Sequence, residues 1–259
     1  MPAAFYEQDG DRFVPTELTR GPWDPNSQHG GPPAALLGRA IERLDDAEEF
    51  LLGRITYEIL RPVPLTPLSV EAEVVRPGRR VQMVEAILRA GEAEVIRARG
   101  WRLRRQRLDL PAPDRGEPLP GPGAGEEGDF PPTGEKLGYH VAMDLRFIRG
   151  RFTEPGPATV WMRMRQPLLA GEEPSPLQRL LVAADSGNGV SAALDWTRFI
   201  FINVDLTVQL ERLPAGEWIG LDAVTLPQPT GVGTAEAVLH DEGGRVGRAL
   251  QTLLVSPRG

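Results

Sequence analysis

With 259 residues, 41% of them hydrophobic, the chain can bury a sizeable core as one large domain or two small ones. A formal net charge of −7 gives no electrostatic reason to expect nucleic acid or an anionic membrane surface as a partner. The lack of cysteine excludes disulfides, thiolate zinc sites and a Cys nucleophile.

The first residues, MPAAFYEQDGDRF, have neither a basic n-region nor an apolar h-region. No apolar run approaches the roughly 18 residues that would span a bilayer. The expectation is a soluble, cytoplasmic protein with no membrane span. Residues 3–18 alternate as a hairpin around Asp9-Gly10, and Gly21–Gly31 has the composition of a loop. Pro32 and Pro33 then suit the first turn of a helix, where no backbone N–H is needed. Ala35, Leu36, Ala40, Ile41 and Leu44 supply its apolar stripe. Strand-like runs follow at Leu51–Leu60, Leu68–Arg76, Arg80–Arg89 and Glu92–Arg104. Consecutive strands after one helix argue for an antiparallel sheet rather than βαβ units. In residues 108–135, thirteen of 28 are Pro or Gly, which reads as an extended or partly disordered linker. Strands are then expected at Tyr139–Arg149 and Thr159–Arg165, a helix at Leu177–Ser186, and strands at Phe199–Leu210, Trp218–Leu226, Gly233–His240 and Val246–Val255.

The second half repeats the plan of the first. A shift of about 150 residues lays the helix at Ala35 over that at Asp185, TYEILRP over TVQLER, and RARGWRLR over GRALQTLL. Each copy is a helix followed by a four-stranded antiparallel run, an α+β unit in which one curled sheet covers the helix stripe. The division is 1–107, linker 108–135, and 136–259.

The copies differ in polar residues. Asp185 lies four residues after Leu181, inside the apolar helix pattern, and then meets the breaker cluster Ser186-Gly187-Asn188-Gly189. Strand alternation puts Asn203, Asp205 and Thr207 on one face, with Ile202, Val204 and Leu206 on the other. Gln251 lies in the last strand, among leucines. The matching positions of the first copy are Ala35, Gly53 and Trp101. Three polar side chains present in one copy only point to a single functional site. The bland alternatives are that Asp185 caps the turn after its helix, that Asn203 and Gln251 serve strand contacts, and that Asp205 pairs with Arg212.

Several other chemistries find no support. His29, His140 and His240 are too scattered for a metal site, and His29 reads as a loop or cap residue. Ser186 has no His–Asp arrangement and no G-x-S-x-G elbow. Gly187 and Gly189 lack the spacing of a phosphate loop.

The segments HGGPPAALLGRAIE (His29–Glu42), AADSGNG, NVDLTVQLER and ALQTLLV resemble the thioesterase-like proteins related to acyl-CoA thioesterase II. The resemblance covers all but the linker. It implies a double hotdog, two antiparallel sheets each wrapped around a long helix, and hydrolysis of an acyl thioester on coenzyme A or an acyl carrier protein. No cofactor or metal is implied. In that family an Asp after the second helix, a Thr or Asn on the next strand and a Gln on the last strand hold the attacking water. These positions match Asp185, Asn203 and Gln251, with Asn203 standing where the best-known members have Thr and Asp205 the other candidate to complete the site. The resemblance also sets His29, Gly30 and Gly31 against the acyl group, and backbone N–H groups at this helix start could bind developing negative charge. The pantetheine arm would lie in a groove between the hotdogs, and a homo-oligomer fits exposed sheet edges. Two other readings stay open: a non-catalytic acyl-binding protein, and a dehydratase or hydratase, which would require His29 to approach Asp185.

Overall fold

The computed structural model describes residues 2–111, 117–128, 130 and 134–258. Strands β1 (Tyr6–Asp9) and β2 (Arg12–Pro15) form the expected hairpin, with Gly10 in the left-handed region. Helix α1 (Gly31–Glu42) leads into β3 (Phe50–Ile59), β4 (Leu68–Arg76), β5 (Val81–Ala90) and β6 (Ala93–Arg104). The second half holds β7 (Glu126–Glu127), α2 (Tyr139–Ala142), β8 (Met143–Arg151), β9 (Glu154–Met164), α3 (Pro176–Ala184) and α4 (Gly187–Val190). It ends with β10 (Phe199–Asn203), β11 (Asp205–Leu210), β12 (Ile219–Pro227), β13 (Val232–Asp241) and β14 (Gly244–Pro257).

The strands form one 14-stranded sheet in the order β1-β2-β4-β5-β6-β3-β11-β14-β13-β12-β9-β8-β7, with β10 also on β14. A joined pair of sheets, each wrapped around a long helix, was expected. Instead the two halves share one sheet, and the main helices are short, with 12 residues in α1 and nine in α3. The reason lies at the seam. β3 and β11 would each be an edge with unpaired N–H and C=O groups, and pairing them antiparallel satisfies both rows. Thr56 stands opposite Thr207 there, their hydroxyls 3.0 Å apart. Ile55–Val208 and Tyr57–Leu206 flank that pair symmetrically, so the sequence repeat becomes a local two-fold axis through the two threonines.

The helices α1 and α3 pack together antiparallel on this sheet. Gly30 lies against Asp185 at one end of the pair, and Glu42 against Ser175 and Gln178 at the other. With α3 on one side and β4 and β5 on another, α1 is buried from Gly31 to Arg39 and not along a single stripe.

Three local expectations need correction. The helix expected to run to Ser186 stops at Ala184, and the Ser-Gly-Asn-Gly cluster, instead of breaking the chain, starts α4. The strand expected from Tyr139 begins at Met143, because Tyr139–Ala142 turn as α2. Part of the linker is built into the fold. Glu126–Glu127 pair with β8, Trp161 Nε1 donates to Pro120 O at 2.7 Å, and the Phe130 ring lies 4.7 Å from that of Phe152. The linker residues 112–116, 129 and 131–133 lie outside the described residues.

The strand expected over Phe199–Leu210 is split at Val204 by a bulge that decides the site. From the Asn203–Leu253 pair to the Thr207–Leu250 pair the chain takes four steps on one side and three on β14. One extra residue reverses the in-out alternation. Phe201 faces the interior before the bulge; Leu206 and Val208 do so after it. Asn203 therefore does not share a face with Asp205 and Thr207, contrary to simple alternation. Among the described residues no helix is long and apolar enough to cross a membrane.

Candidate active site at the α1–α3 junction

Asp185 caps the C-terminus of α3 and is 8% exposed. Ser175 at the far end accepts the Gln178 N–H, and the Leu177, Leu180, Leu181 and Ala184 side chains bury the helix so that its last residue is carried into the interior. The start of α1 meets it there. A Cβ on Gly30 would lie 2.8 Å from Asp185 Oδ2, and one on Gly31 would lie 2.2 Å from Val182 O. Only glycine permits this approach, which explains the Gly30-Gly31 pair physically.

Asn203 Nδ2 donates to Asp185 Oδ1 at 2.9 Å and to Asp205 O at 3.0 Å. Gln251, 4% exposed on the inward face of β14, donates through Nε2 to Asp185 O at 3.1 Å and to Oδ1 at 3.2 Å. The Gln251 Oε1 accepts the Asn188 N–H at 3.1 Å, which fixes the orientation of its amide. The three residues expected from the repeat thus meet, and the two amides grip the carboxylate itself. Burial pushes the Asp185 carboxyl up to about 7, against the lowering effect of the Asn203 and Gln251 amides and the Gly30 and Gly31 N–H groups. Both N–H groups lie at the carboxyl they influence, and the Gly31 N–H also donates to His29 Nδ1 at 3.1 Å.

Asp205 belongs to the bulge. Its Oδ1 accepts the Thr252 N–H at 2.5 Å and its Oδ2 lies 3.2 Å from Thr252 Oγ1, replacing a ladder carbonyl. Nor does it pair with Arg212, whose partner is Asp241.

His29 is more than a loop residue. Its Nδ1 stands 3.2 Å from Asp185 Oδ2 and accepts the Gly31 N–H at 3.1 Å. The ring stacks on Tyr139 at 3.7 Å, and burial lowers its pKa to about 3, so the imidazole is neutral at physiological pH. Tyr139 OH in turn lies 2.8 Å from Val182 O and 2.9 Å from Ser186 Oγ, closing the end of α3. Sequence reasoning missed Tyr139 and Asn188. Tyr139 sits in what reads as a strand start, and Asn188 in what reads as a turn. No local signal marks either.

Asp185, Asn203, Asn188 and His29 open onto a cavity of about 430 Å³ walled by Trp23, Trp196, Phe152, Ile200 and Ile202. Among the described residues no cluster of His, Asp or Glu could hold a metal ion. A neutral histidine and a buried carboxylate beside an apolar cavity are groups able to exchange a proton with a molecule bound there.

The fold is the hot dog fold. An Alicyclobacillus acidocaldarius protein of unknown function described with that fold is 17% identical, with 98% of this chain and 96% of that one covered at a TM-score of 0.74. A Thermobifida fusca protein named for thioesterase II gives 20% identity, coverage of 98% and 96%, and a TM-score of 0.74. For an acyl-CoA thioesterase II from Mycobacterium marinum the values are 14%, 98% and 94%, and 0.65. No curated protein matches the chain. The model of the acyl-CoA thioesterase C-terminal domain matches residues 113–255, and that of the N-terminal domain residues 19–103. The chain belongs to the acyl-CoA thioesterase family and is a thioester hydrolase.

Proposed function

We propose that the protein hydrolyses an acyl-CoA thioester with Asp185 as general base. Asn203 and Gln251 hold that carboxylate in place, and His29, Gly30 and Gly31 border the acyl group. The observation that carries the reading is a carboxyl raised to about 7, gripped by two amides at an apolar cavity. A base of that pKa is half ionised near neutrality, where it combines availability with proton affinity. A water beside Asp185 gives it a proton as the water oxygen attacks the thioester carbonyl carbon. The tetrahedral adduct then breaks its C–S bond, and the proton passes from Asp185 to the departing sulfur. One water is consumed, leaving a carboxylic acid and a thiol. The proposal includes two hotdogs, residues 1–107 and 136–259, joined by 108–135, in a cytoplasmic homo-oligomer.

The test is thiol release from short, long and aromatic acyl-CoAs, with an acyl carrier protein thioester as a further arm. Native protein should release thiol from at least one of them, and Asp185→Asn should slow that release about 10²-fold or more. Binding with no release above buffer would replace this reading with a non-catalytic acyl carrier. A second reading is favoured by the 3.2 Å contact of His29 with Asp185. It is addition of water across an enoyl thioester, and loss of enoyl absorbance without thiol release would support it.

A further inference from the structure

Attack on a thioester builds negative charge on the carbonyl oxygen, which needs a hydrogen-bond donor not committed elsewhere. Around Asp185 most donors are committed. The two amide hydrogens of Asn203 go to Asp185 Oδ1 and Asp205 O, and those of Gln251 to Asp185 O and Oδ1. The Gly30 and Gly31 N–H groups lie at the carboxylate. Tyr139 OH donates to Val182 O, so the Ser186 hydroxyl is the donor in their 2.9 Å contact.

His29 is the exception. The Gly31 N–H donates to its Nδ1 at 3.1 Å, so Nδ1 is an acceptor and the neutral ring carries its hydrogen on Nε2. Among the described residues Nε2 has no hydrogen-bond partner, yet it is not one of the sealed, unmatched atoms. The side chain keeps 12% of its surface accessible and walls the cavity. Stacking on Tyr139 at 3.7 Å holds the plane of the ring. Because Nδ1 stands 3.2 Å from Asp185 Oδ2, Nε2 lies within one further ring width of the carboxylate that would activate water.

We propose that His29 is a catalytic residue whose Nε2–H donates to the thioester carbonyl oxygen and to the oxyanion it becomes. The inference rests on the hydrolase reading. As the water oxygen bonds to the carbonyl carbon, the C=O π pair moves onto oxygen and meets Nε2–H. The pair returns when the C–S bond breaks, and His29 loses no proton. A neutral imidazole can polarise a carbonyl in this way. The contact with Asp185 strengthens the donor during the reaction. Asn203 and Gln251 both bond Oδ1, leaving Oδ2 to take the proton of the water. That proton then faces Nδ1, and a ring that accepts at Nδ1 donates more strongly at Nε2. The gain arises only as the water is deprotonated, so it lowers the barrier and does not merely tighten substrate binding.

The test uses the ketone analogue of octanoyl-CoA with CH2 in place of sulfur, which keeps the carbonyl and cannot be hydrolysed. Its infrared carbonyl band should lie at lower frequency on native protein than on His29→Phe, which keeps an aromatic ring on Tyr139 and loses the N–H. With a hydrolysed acyl-CoA, His29→Phe should lower kcat about 10²–10³-fold and leave KM within a few-fold. His29→Gln, which keeps an N–H near the Nε2 position, should recover at least about 10-fold of that loss. The same band on native protein and His29→Phe, or a Gln variant as slow as the Phe variant, overturns the inference and leaves hydrolysis standing. A lowered band on a native protein that releases thiol from no substrate upholds the donor and overturns the hydrolase reading instead. Should His29→Phe not fold, nitrogen NMR of the native protein, with three histidines to assign, reads the tautomer at pH 6. Hydrogen on Nε2 is expected there, and hydrogen on Nδ1 overturns the inference.

Discussion

At one end of the α1–α3 pair Asp185, the cap of α3, meets the start of α1. At the other end Glu42, the last residue of α1, meets the start of α3. Both carboxyls are raised by burial and receive hydrogen bonds. Glu42 takes them from Ser175 Oγ at 2.8 Å and Gln178 Nε2 at 3.1 Å. The surroundings then diverge. Arg39 and Arg43 lie close enough to Glu42 to favour its ionised form, and Glu172 ties down both arginines. Asp185 has only a neutral histidine and amide donors, and it opens onto about 430 Å³ of cavity where the other end has about 190 Å³. A duplicated frame therefore offers two helix-terminal carboxyls, and what separates them is the presence of cations at one and a larger, mostly apolar cavity at the other.

The sharpest way to break this comparison is to neutralise each carboxylate in turn. Asp185→Asn should lower kcat about 10²-fold or more, whereas Glu42→Gln should stay within a few-fold of native, both measured by thiol release. Equal losses would mean that the ends are not functionally distinct.

Stability should move the opposite way from activity. The folded Asp185 binds its proton up to about pH 7, and the unfolded chain releases it near the ordinary carboxylate value. Between those values the native state holds more protons, so the stability associated with this group is full at low pH and is lost as pH rises through 7. Asp185→Asn should be more stable than native at pH 8 by about 2 kcal/mol, with the gain gone near pH 4. Urea unfolding at the two pH values reads this directly, and a gain independent of pH would contradict it.

A smaller effect is expected at the amides. Removing a donor to the ionised carboxylate should raise the Asp185 pKa further. Gln251→Leu should therefore move the acid limb of the kcat/KM profile to higher pH and lower the rate about 10-fold at pH 7. An unshifted limb would separate Gln251 from the titrating group. The smallest change is predicted at the bulge. Asp205→Ala leaves the Thr252 N–H without its acceptor and should cost about 1 kcal/mol by thermal unfolding, with the pH profile unmoved.

The sequence made much of this legible through period and repetition. The hairpin at Asp9-Gly10, both main helices and most strands follow from local pattern, because half-buried helices and strands impose their own spacing on apolar residues. Asp185 and Gln251 stood out as polar residues in apolar runs whose counterparts in the first half are Ala35 and Trp101. Asn203 was picked for a face it does not keep. The bulge at Val204 reverses the alternation, and no residue type announces a bulge that depends on pairing with β14. The Gly30-Gly31 pair was visible as a motif, but its physical cause, the close approach of Asp185 and Val182, belongs to a helix packed from about 150 residues away.

What the sequence determined by itself is the α+β repeat, the absence of cysteine and one polar trio confined to the second copy. These follow from composition and local spacing. The tertiary structure decided that the two halves share one sheet, that α1 delivers His29 to Asp185, and that Tyr139 and Asn188 complete the surroundings. It also decided the chemistry of the carboxyl, since a pKa near 7 comes from burial between two helix ends and two strands. No neighbouring residue in the chain could impose that.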